Sequence, residues 1–275
     1  FYEKIKVPPP TFCPECRMQR RMSWRNLRAL HKRTCGLCGK SLISMYPDSE
    51  TPVYCSNCWY GDKWNPFDYG KNFDFSKSFF IQLKELLKTV PRFYAYHFGN
   101  LIRSDFTNYS VDNKDCYLIF SAVVNENVRY SEIIDKSKDS SDCYSVQKVE
   151  NCSYNIDCER NYNTHYAIQS NNCIDSSFIF DCANCHNCCL SYNLRNQQYV
   201  FKNKKLSKEE YENKVKDLRL ETYSGFQKTL EIFDEAVRKE ATHRYAFIFA
   251  SKSATGDYIT HSKNIKKSFD IWDSE

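Results

Sequence analysis

Glycine is scarce in this chain: seven residues in 275. No glycine loop able to cradle a phosphate occurs, and folds whose turns depend on glycine are disfavoured. No apolar run approaches the ~18 residues needed to cross a bilayer, so no membrane partner is expected. Histidine is also sparse, and His97, His165, His243 and His261 have no recognisable catalytic partner motif. Acidic residues are absent from Arg17 until Asp48, which concentrates positive charge locally although the formal net charge is only +5. A hydrophobic fraction of 41% and a charged fraction of 27% suit an ordinary globular chain with one large or two modest domains.

Cysteine, by contrast, is abundant. Fifteen cysteines, an odd number with many in Cys-x-x-Cys pairs, favour metal ligation in a reducing, cytoplasmic compartment over a disulfide framework. Cys35-Gly-Leu-Cys38 and Cys55-Ser-Asn-Cys58 have the spacing of a zinc ribbon. Two knuckles would present four thiolates at ~2.3 Å from one structural Zn2+. A hairpin of "SLISMY" and "PVYC" is expected to span the gap. Cys13 and Cys16 form a half-site at the start of a helix, where free N–H groups stabilise negative sulfur. They read as the second half of a treble-clef-like finger, with room for a second Zn2+. The other pair of that finger is expected before Phe1, and nothing in the spacing makes His31 a ligand.

After Cys16 the reading expects a helix carrying Arg17, Arg20, Arg21, Arg25, Arg28 and Lys32 within an arc of ~140° at 100° per residue, with Trp24 among them. Arginine forks suit phosphates and an indole can stack on a base, so RNA or DNA is a candidate partner. The competing reading is structural: a zinc tetrathiolate carries negative charge and attracts cations around itself.

From about residue 113, Asn, Ser, Asp, Cys and aromatics dominate. Aligned in sixes from Asn151 the chain reads NCSYNI, DCERNY, NTHYAI, QSNNCI, DSSFIF, DCANCH, NCCLSY. The first position is Asn, Asp or Gln; the second is always small. Such a period, with small inward residues and turn-tolerant corners, points to a β-solenoid, and the scarcity of glycine counts against it. Cys182-Ala-Asn-Cys185-His186 matches a haem-attachment string but lies inside the repeat, so buried reduced thiols are expected there. Cys188 and Cys189 follow at once and leave a metal site open. Asp157, Asp175 and Asp181 share one hexad position and could line one edge, as in carbohydrate-active β-helices. Asn and Gln share that position too, which favours a turn role.

Elsewhere, "SKSFFIQLKELLKTV" reads as an amphipathic helix with Ser76 as N-cap, and Ser207 to Glu210 form a capping box opening another. A second helical stretch runs from about Thr222 to Arg244. The tail "GDYITHSKNIKKSFDIWDSE" loosely repeats the solenoid pattern, so the chain reads as a fragment at both ends.

The strings "VPPPTFCPECRMQRR", "CGLCGKSLIS", "VYCSNCW", "DKWNPFDYG" and "LRNQQYVFKNKKLSKEEYE" together resemble a family of zinc-ribbon, Cys/Asn-rich repeat proteins of candidate-phyla bacteria with small genomes. The resemblance covers nearly the whole chain. It implies a further cysteine pair upstream of Phe1 and carries no established activity.

The expected fold is α+β with a mainly β body: a zinc-ribbon/treble-clef-like domain (1–70), a helical connector (71–112), solenoid repeats (113–200), a helical insertion (201–248) and the start of a second solenoid block (249–275). The expected function is non-catalytic zinc binding with a nucleic-acid or scaffold role. The solenoid would dock another protein, and a carbohydrate-active enzyme using edge aspartates is the alternative.

Overall fold

A computed structural model describes residues 2–23, 26–49 and 51–274. The body is mainly β, with five α-helices and a 12-stranded sheet whose neighbours pair in parallel for most of its length. From Thr107 on, the parallel pairs of this sheet follow one rule: residue i lies beside residue i+12, as in Ile119↔Ser131, Tyr144↔Ile156 and Thr164↔Ser176. Twelve residues therefore make one coil, and the hexad seen in the sequence is half of it.

The backbone has a shorter period still. Every third residue from Tyr109 to Lys202 has a positive φ, between 46° and 56°. Left-handed geometry is strained for side chains with a Cβ, least so for Asn and Asp, which recur at these corners. The chain thus turns four corners per coil with almost no glycine.

The residue after each corner points inward. Cys116, Ile119, Ala122 and Asn125 fill one coil and Val128, Ser131, Ile134 and Ser137 the next, all 3% exposed or less. The hexad's small second position is one inward site, and its fifth is another. A tube this narrow accepts only small or slim side chains.

Many of those side chains are polar for a reason. Where the inward side chain is polar, it meets the backbone N–H of the inward residue one coil above. Cys143 N–H donates to Ser131 Oγ (3.1 Å), Cys182 N–H to Ser170 Oγ (3.1 Å) and Cys173 N–H to Asn161 Oδ1 (2.9 Å). Cysteine plays the same part: Cys152 Sγ takes the Thr164 N–H and donates to Glu150 O at 3.2 Å.

Period twelve also rearranges the acidic residues. Asp157 and Asp181 share a column through Gln169, whereas Asp175 stacks with Asn151 and Asn163 in another, joined by side-chain bonds of 2.9 and 2.6 Å. The three aspartates do not line one edge.

Five helices complete the described chain: α1 (Pro14–Met22), α2 (Ser56–Trp59), α3 (Phe79–Thr89), α4 (Lys208–Asp217) and α5 (Tyr223–Lys239). Ser207 and Glu210 form a full capping box on α4, and Thr222 caps α5. Both helices cover a face of the last coils, where Phe178, Phe180, Leu190, Tyr211 and Phe233 form a second core. Helix α3 starts after Ser78 rather than Ser76 and buries none of its residues. The large sheet's parallel pairing begins at His97–Phe98, within the segment read as connector. After α5, three parallel strands open another block, which touches the first where Tyr258 Oη donates to Asp157 Oδ2 at 2.6 Å.

Replacing Cys152 by Ser keeps an acceptor and a donor in the tube, so stability should change by less than about 1 kcal/mol. Asn161→Val strands the Cys173 N–H and the Ser170 carbonyl that Asn161 Nδ2 reaches at 3.0 Å, a loss of about 2–4 kcal/mol. Urea unfolding of the two variants checks this; equal losses would refute the inward-bond account.

Candidate metal centre

Cys35 and Cys38 sit on the turn after the strand His31–Thr34, and Gly39 closes that turn at φ 74°, a conformation that favours glycine. Cys55 caps α2 and Cys58 lies inside it. The local pairing differs from the expected hairpin. Ser41–Ser44 pairs antiparallel with His31–Thr34, while Val53–Tyr54 pairs in parallel with Arg92–Phe93. The first knuckle is thus the hairpin's own turn, and the second is tied to the chain beyond α3.

The thiol sulfurs of Cys35, Cys38, Cys55 and Cys58 all lie within 4.8 Å of one another, and Cys38 Sγ is 3.8 Å from Cys55 Sγ. A tetrahedron with ~2.3 Å metal–sulfur bonds has edges of ~3.8 Å, so the donor set and its size fit Zn2+. Burial acts to raise the Cys35 thiol, but hydrogen bonds from the N–H groups of Cys55, Cys38 and Leu37 outweigh it and lower the pKa to about 6. Burial and the neighbouring thiols push Cys58 up to about 12. The packed core is small: Cys35, Tyr54 and Cys58 with Trp59, Trp64, Leu37 and Leu42 around them. With so little apolar burial, a metal held by these four sulfurs would carry much of the order here.

The other predicted ligands lie elsewhere. Cys13 caps α1 and its sulfur accepts the Cys16 N–H at 3.3 Å; both side chains are exposed. The helix starts at Pro14, ahead of the second cysteine. Among the described residues only the Cys35/Cys38/Cys55/Cys58 group brings three or more donors this close together. His31 is part of a strand and not of that group. Cys182, Cys185 and Cys188 are inward residues of one coil, each 1% exposed or less. Hydrogen bonding to Cys185, then burial, raises the thiols of Cys173, Cys182 and Cys188, and burial lifts Cys143, Cys158 and Cys189 to about 12. Cys143, Cys158, Cys173, Cys182 and Cys188 are thus protonated ladder residues with little nucleophilic character, whereas hydrogen bonds from Cys173, Cys182 and Cys188 act to lower the Cys185 thiol.

The basic helix is not continuous. α1 ends at Met22, where Ser23 Oγ donates to Arg20 O at 2.7 Å, and Lys32 is on a strand. The expected arc of six cations therefore does not form on one helix. Arg17 donates to Tyr2 Oη (3.1 Å) and Arg20 lies 4.7 Å over the Phe12 ring. Arg28 pairs with Glu132 of the solenoid. Arg21 and Lys32 are exposed, and Trp24 and Arg25 lie outside the described residues.

Sequence reasoning passed over two anchors of this module. Arg33 donates to the carbonyls of Pro47, Ser49 and Thr51 at 2.9–3.2 Å and so holds the loop between the knuckles. Tyr94 Oη donates to His97 Nδ1 (2.9 Å), because His97 Nε2 must carry the proton it gives to Thr107 O (2.6 Å). The Arg33 bonds span 14 to 18 residues and leave no local signature, whereas Tyr94 and His97 are only three residues apart.

The edge aspartates have partners. Asp181 is 6% exposed and accepts from Asn193 (3.0 Å), Arg195 (2.9 Å) and Arg244 (2.7 Å). Burial acts to raise its pKa, but these bonds hold it below the usual carboxylate value.

No family model and no curated protein matches this chain. Among solved structures, one similar chain is UDP-N-acetylglucosamine O-acyltransferase (LpxA) from Moraxella catarrhalis RH4, 10% identical over 52% of this chain and 88% of that one, with a TM-score of 0.15. So poor a superposition carries no argument about activity.

Two outcomes follow from this geometry. Elemental analysis of protein never exposed to chelator should find zinc, and Cys55→Ser should abolish it and unfold the module while the solenoid's circular dichroism persists. Asp181→Asn should lower stability at neutral pH by about 1–3 kcal/mol. Because the folded pKa of Asp181 is depressed, its contribution is full above the unfolded value of ~3.9 and is lost as pH falls through the folded value. The variant's unfolding free energy should therefore fall less steeply below pH ~4 than the parent's.

Proposed function

We propose that this chain is a non-catalytic scaffold: a zinc-pinned module of zinc-ribbon type seated on a rigid β-solenoid whose outer aromatic face receives other protein segments. One observation carries the reading. The chain already uses that face in this way, since α5 lays Phe226 against Tyr166 (5.1 Å) and Phe233 against Phe178 (5.9 Å). Tyr154, Tyr166 and Phe178 stack at 4.5 and 4.9 Å along successive coils, making a flat apolar ladder. Ladders of this kind are docking surfaces for amphipathic helices.

Two features weigh against the alternatives. Arg28 is engaged by Glu132 and Arg33 by loop carbonyls, so fewer cations remain for a polyanion than the sequence promised. The aspartates that a carbohydrate-active enzyme would need are held by Tyr258 and by Arg195 and Arg244.

A gel shift with mixed RNA and DNA tests the reading. Zinc-loaded protein should give no retardation at low salt. Retardation that weakens by decades between 50 and 200 mM salt would transfer the function to a nucleic-acid partner.

A further inference from the structure

The ladder that α5 covers continues past it. Corner residues Tyr130, Asp142 and Tyr154 share one column, 12 residues apart, and Tyr130 and Tyr154 are 55% and 46% exposed. Phe106 and Tyr117 extend the aromatic run toward the zinc module, with ring spacings of 5.4 and 5.9 Å up to Tyr130. This stretch is aromatic like the covered stretch but interrupted by Asp142, and among the described residues no helix lies on it.

An unpartnered helix is present in the same chain. α3 buries no residue, and Phe80 and Leu87 are 76% and 43% exposed. They are seven residues apart, the spacing that separates Phe226 from Phe233 in α5. Lys84 lies between them on the same face, as i+4 from Phe80 and i−3 from Leu87. Phe80, Lys84 and Leu87 thus present apolar, cationic and apolar groups in turn. The ladder presents the complement: Tyr130, Asp142, Tyr154.

The dimensions agree. Seven residues of α-helix rise ~10.5 Å, and two coil spacings at ~4.8 Å cover ~9.6 Å. Among the described residues neither Lys84 nor Asp142 has an ion-pair partner within 4.0 Å.

We propose that α3 of one copy docks on the uncovered ladder of a second copy of this chain, with Phe80 and Leu87 on Tyr154 and Tyr130 and Lys84 facing Asp142. Because each copy carries both halves, two such contacts related by a twofold axis close a dimer. This rests on the docking-surface reading above and specifies its partner.

The test is sedimentation equilibrium of the zinc-loaded chain, alone and as Lys84→Glu, Asp142→Lys and the double variant. The parent should dimerise, each single substitution should weaken the dimer at least tenfold, and the double variant should recover most of that loss. Lys84 is exposed and Asp142 half-buried, and unchanged zinc content and circular dichroism establish folding. A monomer at ~100 µM, a dimer indifferent to either charge reversal, or a double variant no tighter than the singles would each overturn the proposal. The gel shift fails independently: nucleic-acid binding would sink the scaffold reading, whereas a monomer that binds no nucleic acid sinks only self-docking.

Discussion

One hydrogen bond, repeated from coil to coil, sets the character of this protein. An inward side chain reaches up to the backbone N–H of the inward residue twelve positions later, as Ser131 does for Cys143 and Asn161 for Cys173. Cross-strand bonds at the corner and at the residue before it join neighbouring backbones, as in Asn151 N–H to Lys138 O and Tyr144 N–H to Asn155 O. The inward amides instead need small side chains with an acceptor. Ser, Thr, Asn and Cys satisfy that need and fit the bore. The high cysteine count of the body is thus mostly a packing and hydrogen-bonding requirement, while four of the six N-terminal cysteines cluster closely enough to hold a metal ion.

That distinction separates two kinds of order in one chain. The solenoid is self-templating: each coil presents the acceptors and flat ladders that the next coil needs. The N-terminal module has no such repetition and only a small aromatic core, so a cation held by its four clustered sulfurs would supply much of its order. The two are joined by specific contacts rather than by a large apolar interface. Arg28 reaches Glu132, Asn108 donates to the Leu27 carbonyl at 3.1 Å, and Tyr94 with His97 links the strand beside α2 to the first coils. Loss of the metal should therefore release the module from a solenoid that stays intact.

Much of this was legible in the residues. The Cys35/Cys38/Cys55/Cys58 spacing pointed to the metal centre because knuckle geometry is local. The small second position of each hexad marked an inward ladder because stacking forces like upon like. The true coil was hidden because both halves of it obey the same steric rule, so six and twelve look alike in sequence; only pairing tells them apart. For that reason Asp175 was grouped with Asp157 and Asp181, from which the fold separates it. The basic helix misled for a different reason. A helical wheel assumes that the helix continues, and Ser23 ends it by turning its hydroxyl back on Arg20 O. Arg28 and Arg33 then found partners distant in sequence, which no local pattern encodes. Glycine scarcity, which counted against a solenoid, had no bearing, because Asn and Asp hold many of the left-handed corners.

The inward hydrogen bond can be read most directly by residue-resolved amide hydrogen exchange on the zinc-loaded chain. The account predicts that the amides of Cys143, Cys173 and Cys182, whose acceptors lie inside the tube, exchange among the slowest in the protein and only through global opening. If those three amides exchange as fast as the exposed loop amides near Phe75, the inward bonds do not hold the coils together, and the account of this fold is wrong.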